Sequence, residues 1–162
     1  MRADVSTRRL LPEDAAFDLS VFASARSLEL DVLGSQGLAA EAFARLQMAA
    51  RDRHYEACYP GAEHSVVLVG GEPAGRLIVD RSGTGILIVD IALLPRFRRA
   101  GVGSAVVEDL LEEADTKQLP VKCHVLAGND GARRFWERHG LVAQGVDGAH
   151  VAMVRACETS PL

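Results

Sequence analysis

The stretch "ILIVDIALLPRFRRAGVGSAVVEDLLEEAD", residues 86–115, constrains this chain more than any other. It sets an apolar, β-branched run, a basic turn with two glycines and a helix-periodic segment in one fixed order. The run "ILIVDIALL" holds a single charge, which suits a strand covered on both faces. After the turn, Val102, Val106, Leu110 and Ala114 form one apolar stripe, with Val107 and Leu111 beside it. Ser104, Glu108, Glu112 and Glu113 fall on the other side, so the segment reads as an amphipathic helix. The acidic face of "EDLLEEAD" is expected to meet only water. "LPVKCHVLAG" then supplies a strand, and strand–helix–strand in this order makes a β-α-β crossover.

The remaining segments extend the sheet with antiparallel pieces. "HSVVLVG" and "AGRLIVDR" around "GEP" read as a hairpin, as do "LVAQG" and "HVAMVRA" around "VDGA". "NDGARRFWERHG" reads as a last helix stopped by Gly140. Ahead of the sheet, "LPEDAAFDLSVFASARSLE" and "GSQGLAAEAFARLQMAARDRHYEACYPG" read as two helices, the second halted by Pro60 and Gly61. The order α α β β β α β α β β predicts an α/β fold with a mixed, mostly antiparallel central sheet flanked by helices. With no repeat and no low-complexity linker, residues 1–162 are expected to form one domain.

A strand leading through a basic, glycine-bearing turn into a helix is built to hold an anion. The first N–H groups of a helix have no partner within it, and the helix dipole adds partial positive charge there. Gly101 and Gly103 leave the backbone open to approach, and Arg98 and Arg99 add charge-assisted donors. Arg96 reads as a solvated surface charge. The net charge of −4 makes that positive cluster a local device and argues against general nucleic-acid binding. No run of G-x-x-x-x-G-K-[ST] exists, which excludes a P-loop. Val106 stands where a dinucleotide fingerprint needs Gly or Ala, and the repeated β-α-β halves of that fold are absent.

The third phosphate ligand to weigh is the diphosphate of coenzyme A. "IVDIALLPRFRRAGVGSAVVEDLLEEA" resembles the acyl-CoA motif of the GNAT superfamily of N-acetyltransferases, an apolar strand and a Pro followed by [RQ]-x-x-G-x-[GA]. Arg98, Gly101 and Gly103 fill its fixed positions. "NDGARRFWERHGL" resembles the family's N-x-x-A-x-x-L-Y-x-x-x-G-F; Asn129, Ala132 and Gly140 match, while Phe135, Trp136 and Leu141 depart. The likeness runs from about residue 62 to 156, and two motifs at the right separation make it specific. It implies a domain that uses acetyl-CoA to acetylate a primary amine. It also implies that the central strand splays from the strand near Cys123 to Leu126, with pantetheine lying in the gap. The backbones of Ile91 and Leu93 would then pair with pantetheine amides. The N–H groups of Arg99, Ala100, Gly101, Val102, Gly103 and Ser104 would hold the diphosphate, with Asn129 as helix N-cap and cofactor contact. The Leu93 N–H would donate to the thioester oxygen as an amine attacks.

Many members of the family place a Tyr acid where this chain has Trp136. An indole N–H donates a hydrogen bond but does not transfer a proton near neutral pH, so Trp136 is expected to shape the thiol pocket or the core. His124 stands twelve residues ahead of Trp136, where some members carry a catalytic Glu, and an imidazole suits general-base work. Asp90, buried in its apolar strand, is a second candidate base or a structural hydrogen-bonding group. His64 is a third and weaker candidate. On the second helix, Gln47, Arg51 and His54 form a polar stripe with Tyr55 beside it. That stripe either faces water or lines an acceptor groove in which Arg51 binds a substrate carboxylate.

The alternative reading is a non-catalytic acyl-CoA-binding module, kept open by Trp136; an NTP-binding regulator is the third. Three scattered cysteines show neither metal spacing nor a disulfide framework. No metal is expected, nor any membrane segment. The opening "MRADVSTRRL" lacks a secretory apolar core, so a cytoplasmic protein is expected. The closing hairpin offers an edge for a possible homodimer.

Overall fold

In a computed structural model, residues 4–26, 31–32 and 39–157 are described. Seven strands form one sheet: β1 Val5–Arg9, β2 Glu63–Val69, β3 Glu72–Asp80, β4 Ile86–Leu93, β5 Val121–Leu126, β6 Val142–Asp147 and β7 His150–Arg155. The helices are α1 Ala15–Ala25, α2 Ala40–Cys58, α3 Val102–Lys117 and α4 Asp130–Arg138. Sheet order is β1-β2-β3-β4-β5-β7-β6, and every pairing is antiparallel except β4 with β5. The mixed sheet with its single β4-α3-β5 crossover is therefore as expected, and the apolar β4 is central.

One strand went unread. Val5–Arg9 pairs antiparallel with β2 from Val5 opposite Val69 to Arg9 opposite Ser65. "VSTRR" is too short and polar to announce a strand, and it is the free edge of β2 that gives its backbone partners. The first expected helix ends at Ala25, after a 3₁₀ turn at Pro12–Asp14. Parts of the segments read as the first two helices, residues 27–29 and 34–38, lie outside the described residues. The turns of both hairpins fall slightly elsewhere, since Glu72, Pro73, Val146 and Asp147 already belong to strands.

The predicted stripe of α3 is the seam of the core. Val102, Val106, Leu110 and Ala114 are all buried, and they pack with Val79, Ile88, Cys123 and Met153. Fully burying a side chain the size of Val or Leu stabilises the fold by about 1.5–3 kcal/mol, so this seam anchors the crossover. The acidic face of α3 does more than meet water. Glu113 accepts two bonds from Arg81 at 2.8 and 3.1 Å, and Asp115 accepts two from Arg155 at 2.9 and 3.0 Å. These pairs tie the helix to residues at the ends of β3 and β7.

Helices α1 and α2 cover the other face. Val21 and Phe22 are buried residues of α1, and Ala44 is the buried contact of α2. Arg76 projects from β3 into this layer and is only 3% exposed. Its Nη1 donates to Asp18 of α1 at 2.7 Å, and its Nε and Nη2 donate to Asp90 Oδ2 at 3.1 and 2.6 Å. Such a buried cation persists because two carboxylates meet it.

Candidate active site

Strands β4 and β5 are parallel neighbours only from Ile86 opposite Val121 to Ile88 opposite Cys123. Beyond that point each continues without the other. The register of β4 on β3 jumps from Ile88 opposite Val79 to Asp90 opposite Ile78, which leaves Val89 as an extra residue. A bulge bends its strand and increases local twist, and this one sits where the β4–β5 ladder ends. The result is a cleft of about 220 Å³ between the strands, walled by Ile91, Cys123, Val125 and Trp136 and bounded by Asn129.

The backbone that faces this cleft is set by ladder alternation. Leu94 N–H donates to Ala74 C=O at 2.8 Å, so Leu94 and Ala92 turn their peptide groups towards β3. Ile91 and Leu93 therefore turn theirs to the β5 side, where no strand takes them up. The Leu93 carbonyl accepts from Arg98 Nε at 2.9 Å. That bond folds the basic turn back onto the strand end and leaves the Leu93 N–H facing the cleft. Close approach of β3 supports the same place. A Cβ on Gly75 would collide with the Ala92 carbonyl and lie 3.0 Å from Leu93 Cα.

At the end of the cleft the basic turn enters α3. Gly101 is the N-cap with φ +80°, a left-handed conformation that L side chains resist, and no side chain caps the helix. Arg99, not a glycine, also has φ +60°. Two left-handed residues precede an uncapped helix whose Val102, Gly103 and Ser104 N–H groups have no intrahelical partners, a geometry suited to an anion. A Cβ on Gly103 would stand in ordinary van der Waals contact with the Phe135 ring at 3.6 Å. Arg98, Arg99 and Ala100 are exposed. Arg96 is exposed as expected and pairs with Glu72.

Helix α4 closes the cleft. Asn129 caps it, accepting from Ala132 N–H at 3.1 Å. Trp136, 6% exposed, belongs to the core and lines the cleft at once. His139, which sequence reasoning did not single out, places Nε2 3.2 Å from Ser104 Oγ, and its ring meets Phe135 edge-on at 4.9 Å. Burial pushes its pKa below the usual imidazole range. Burial also pushes the Cys123 thiol up to about 12, so this cleft residue is an inert wall and not a nucleophile.

A second groove of about 420 Å³ opens on the α2 side and shares Val89, Asp90, His124 and Leu126 with the cleft. His124 alternates with the buried Cys123 and Val125, so it projects from β5 to this side and is exposed. His54 and Tyr55 line the groove; Gln47 and Arg51 do not. Arg51 is 10% exposed, bonded to Asp52 at 3.0 and 2.6 Å and facing Asp18 at 3.7 Å and Asp90 at 3.8 Å. Its Nη1 and the Gln47 Oε1 are buried without a hydrogen-bond partner among the described residues. The expected stripe is thus divided between groove and interior. Burial, with the nearby Asp90 charge, pushes the Tyr55 phenol up and keeps it protonated. His64 lies away from the groove, paired opposite Ile78 on β2. Asp18 and Arg76 escaped notice in the sequence, although a lone charge inside "AAFDLSVF" and another inside "AGRLIVD" were the signals available.

The sheet split lies beside an uncapped, glycine-led helix, and comparison with known proteins gives the class: an acetyltransferase fold. The acetyltransferase (GNAT) family profile matches residues 36–141. The chain belongs to the GNAT acetyltransferase family. It is 39% identical over 102 residues to a mycothiol acetyltransferase of Saccharopolyspora erythraea, a match that covers 54% of this chain and 33% of that protein. The chain therefore spans about a third of the length of that curated relative. The crystal structure of PH1933 from Pyrococcus horikoshii superposes with a TM-score of 0.70 at 17% identity, covering 96% of this chain and all 100% of that one. The paiA N-acetyltransferase of Thermoplasma acidophilum, in complex with coenzyme A, gives 0.68 at 12% identity over 94% and 99%. These two structures share the fold.

Proposed function

We propose that this acetyltransferase takes its acetyl group from acetyl-CoA and gives it to a primary amine by direct attack. The observation that carries the reading is the open β4–β5 cleft with the Leu93 N–H facing it and the uncapped α3 at its end. Acetyl-CoA supplies an activated thioester whose thiol, with a pKa of about 8.5, leaves without full protonation. The N–H groups of Arg99 through Ser104 hold the diphosphate, helped by the Arg98 and Arg99 guanidiniums. Ile91 and Leu93 pair with the pantetheine amides as an added strand would, and Asn129 and Trp136 bound the thiol end.

His124 takes a proton from the acceptor ammonium, and the freed amine attacks the carbonyl carbon. The Leu93 N–H donates to the oxygen on which charge develops. The C–S bond then breaks and the thiolate leaves, the second proton lost from the nitrogen passes to that thiolate, and the proton held by imidazole passes to water. Asp90 is bound through Oδ2 by Arg76, so its part is to orient that wall of the groove and carry its charge. Trp136 supplies no proton. The nearly bare outer strand β6, with Val142 64% and Val146 73% exposed, is the edge through which a homodimer would form.

Melting shifts with CoA, acetyl-CoA and ATP test the cofactor. At a hundredfold excess over Kd, ligation adds about 2.7 kcal/mol, so both thioester and free CoA raise Tm and ATP does not. A shift with ATP alone overturns the reading. Thiol release over an amine panel then tests catalysis: His124→Ala lowers kcat/KM by roughly 10²-fold while Tm stays put, because the side chain is exposed. CoA binding without turnover of any amine would favour the non-catalytic module that Trp136 allows.

A further inference from the structure

The α2-side groove has a charge character opposite to the one its polar helix stripe suggests. Arg51, the cation that one of the two readings gave to an acceptor carboxylate, is turned into the interior and neutralised there by Asp18, Asp52 and Asp90. Among the described residues that line the groove there is no Lys or Arg, and its two carboxylates are Asp90 and Asp147. Asp90 already serves Arg76. Asp147, at the end of β6, is exposed and has no cationic partner among the described residues. The α2 wall adds the rings of Tyr55 and Tyr59, with centroids 6.2 Å apart, and a π face attracts a cation. The histidines of the lining, His54, His124 and His150, come from three different elements and leave the groove with a surplus of negative charge when neutral.

A groove of this composition repels a substrate carboxylate and attracts an ammonium. Resting on the acetyl-transfer reading above, we infer that the acceptor is an aliphatic di- or polyamine. One amine reaches His124 as nucleophile. A second remains protonated and pairs with Asp147 between the tyrosine rings. Asp147 is then the residue that selects for a doubly charged acceptor, while the chemistry stays with His124 and Leu93.

Three acceptors with the same four-carbon chain separate the possibilities: putrescine, butylamine and γ-aminobutyrate. Thiol release from acetyl-CoA is expected to give kcat/KM in that falling order. An exposed ion pair is worth up to about a fivefold preference, so Asp147→Asn lowers the putrescine-to-butylamine ratio by about that factor. Asp147→Lys moves the preference towards γ-aminobutyrate. A native preference for γ-aminobutyrate, or a ratio that Asp147→Asn leaves unchanged, overturns the inference. Should none of the three turn over, calorimetric binding to the CoA-loaded protein decides it. Putrescine bound tightest and weakened by Asp147→Asn supports the assignment, and equal binding of all three refutes it. Failure of the underlying reading looks different, because CoA itself then produces no melting shift.

Discussion

Arg76 shows how one residue joins stability to the site. Its guanidinium lies under α1 with Asp18 on one side and Asp90 on the other, so it fastens helix to sheet and sets the groove wall together. Replacing it leaves two carboxylates in a dry layer without their main partner. Arg76→Met is expected to cost about 3–5 kcal/mol in denaturant unfolding, the range for breaking one side of a buried pair. A cost below 1 kcal/mol would show that Arg51 moves in to compensate. Of the candidate site residues, Arg98, Gly101, Gly103, Asn129 and Trp136 could be singled out because motif spacing exposes them. His139 and Arg76 were not, since their partners Ser104, Asp18 and Asp90 are distant in sequence.

At the scale of elements, the site depends on β4 keeping company with β3 along its whole length and with β5 for only part of it. The bulge at Val89 and the close approach at Gly75 act on the same strand. A methyl group at Gly75 meets backbone at Ala92 and Leu93, which no side-chain rotation can relieve. Gly75→Ala is expected to destabilise by about 1–3 kcal/mol through overpacking. It should also weaken CoA binding, measured by melting shift, because it pushes out the strand segment that carries the Leu93 N–H. A variant of native CoA affinity would show that this strand end tolerates displacement. The strand itself was plain from its apolar run. The bulge was not, because it is a mismatch of register between two strands.

Across the whole molecule, ion pairs link one element to another. Arg8 holds Asp14 at 2.8 and 2.9 Å and lowers the Asp14 pKa to about 2. Arg81 and Arg155 hold Glu113 and Asp115 below the usual carboxylate range. A carboxylate with a depressed folded pKa stabilises the fold above its unfolded pKa of about 4 and loses that contribution as pH falls towards 2. His139 is also depressed, by burial, so the unfolded chain takes up its proton first and stability starts to decline below about pH 6.5. Thermal melts between pH 8 and 2 should therefore show a shallow loss near pH 6 and a steeper one below pH 4. A Tm that rises on acidification would contradict these assignments.

The order of elements after β1, the crossover and the uncapped, glycine-led turn into α3 were determined by the sequence alone, because periodicity and glycine placement act locally along the chain. Tertiary structure decided the rest. It recruited the polar β1 to a free sheet edge, turned Arg51 inward, and brought His54, His124 and Asp147 to one groove. Those outcomes depend on which backbone edges and charges meet across the fold, and residues far apart in sequence carry no local mark of the partner they will find.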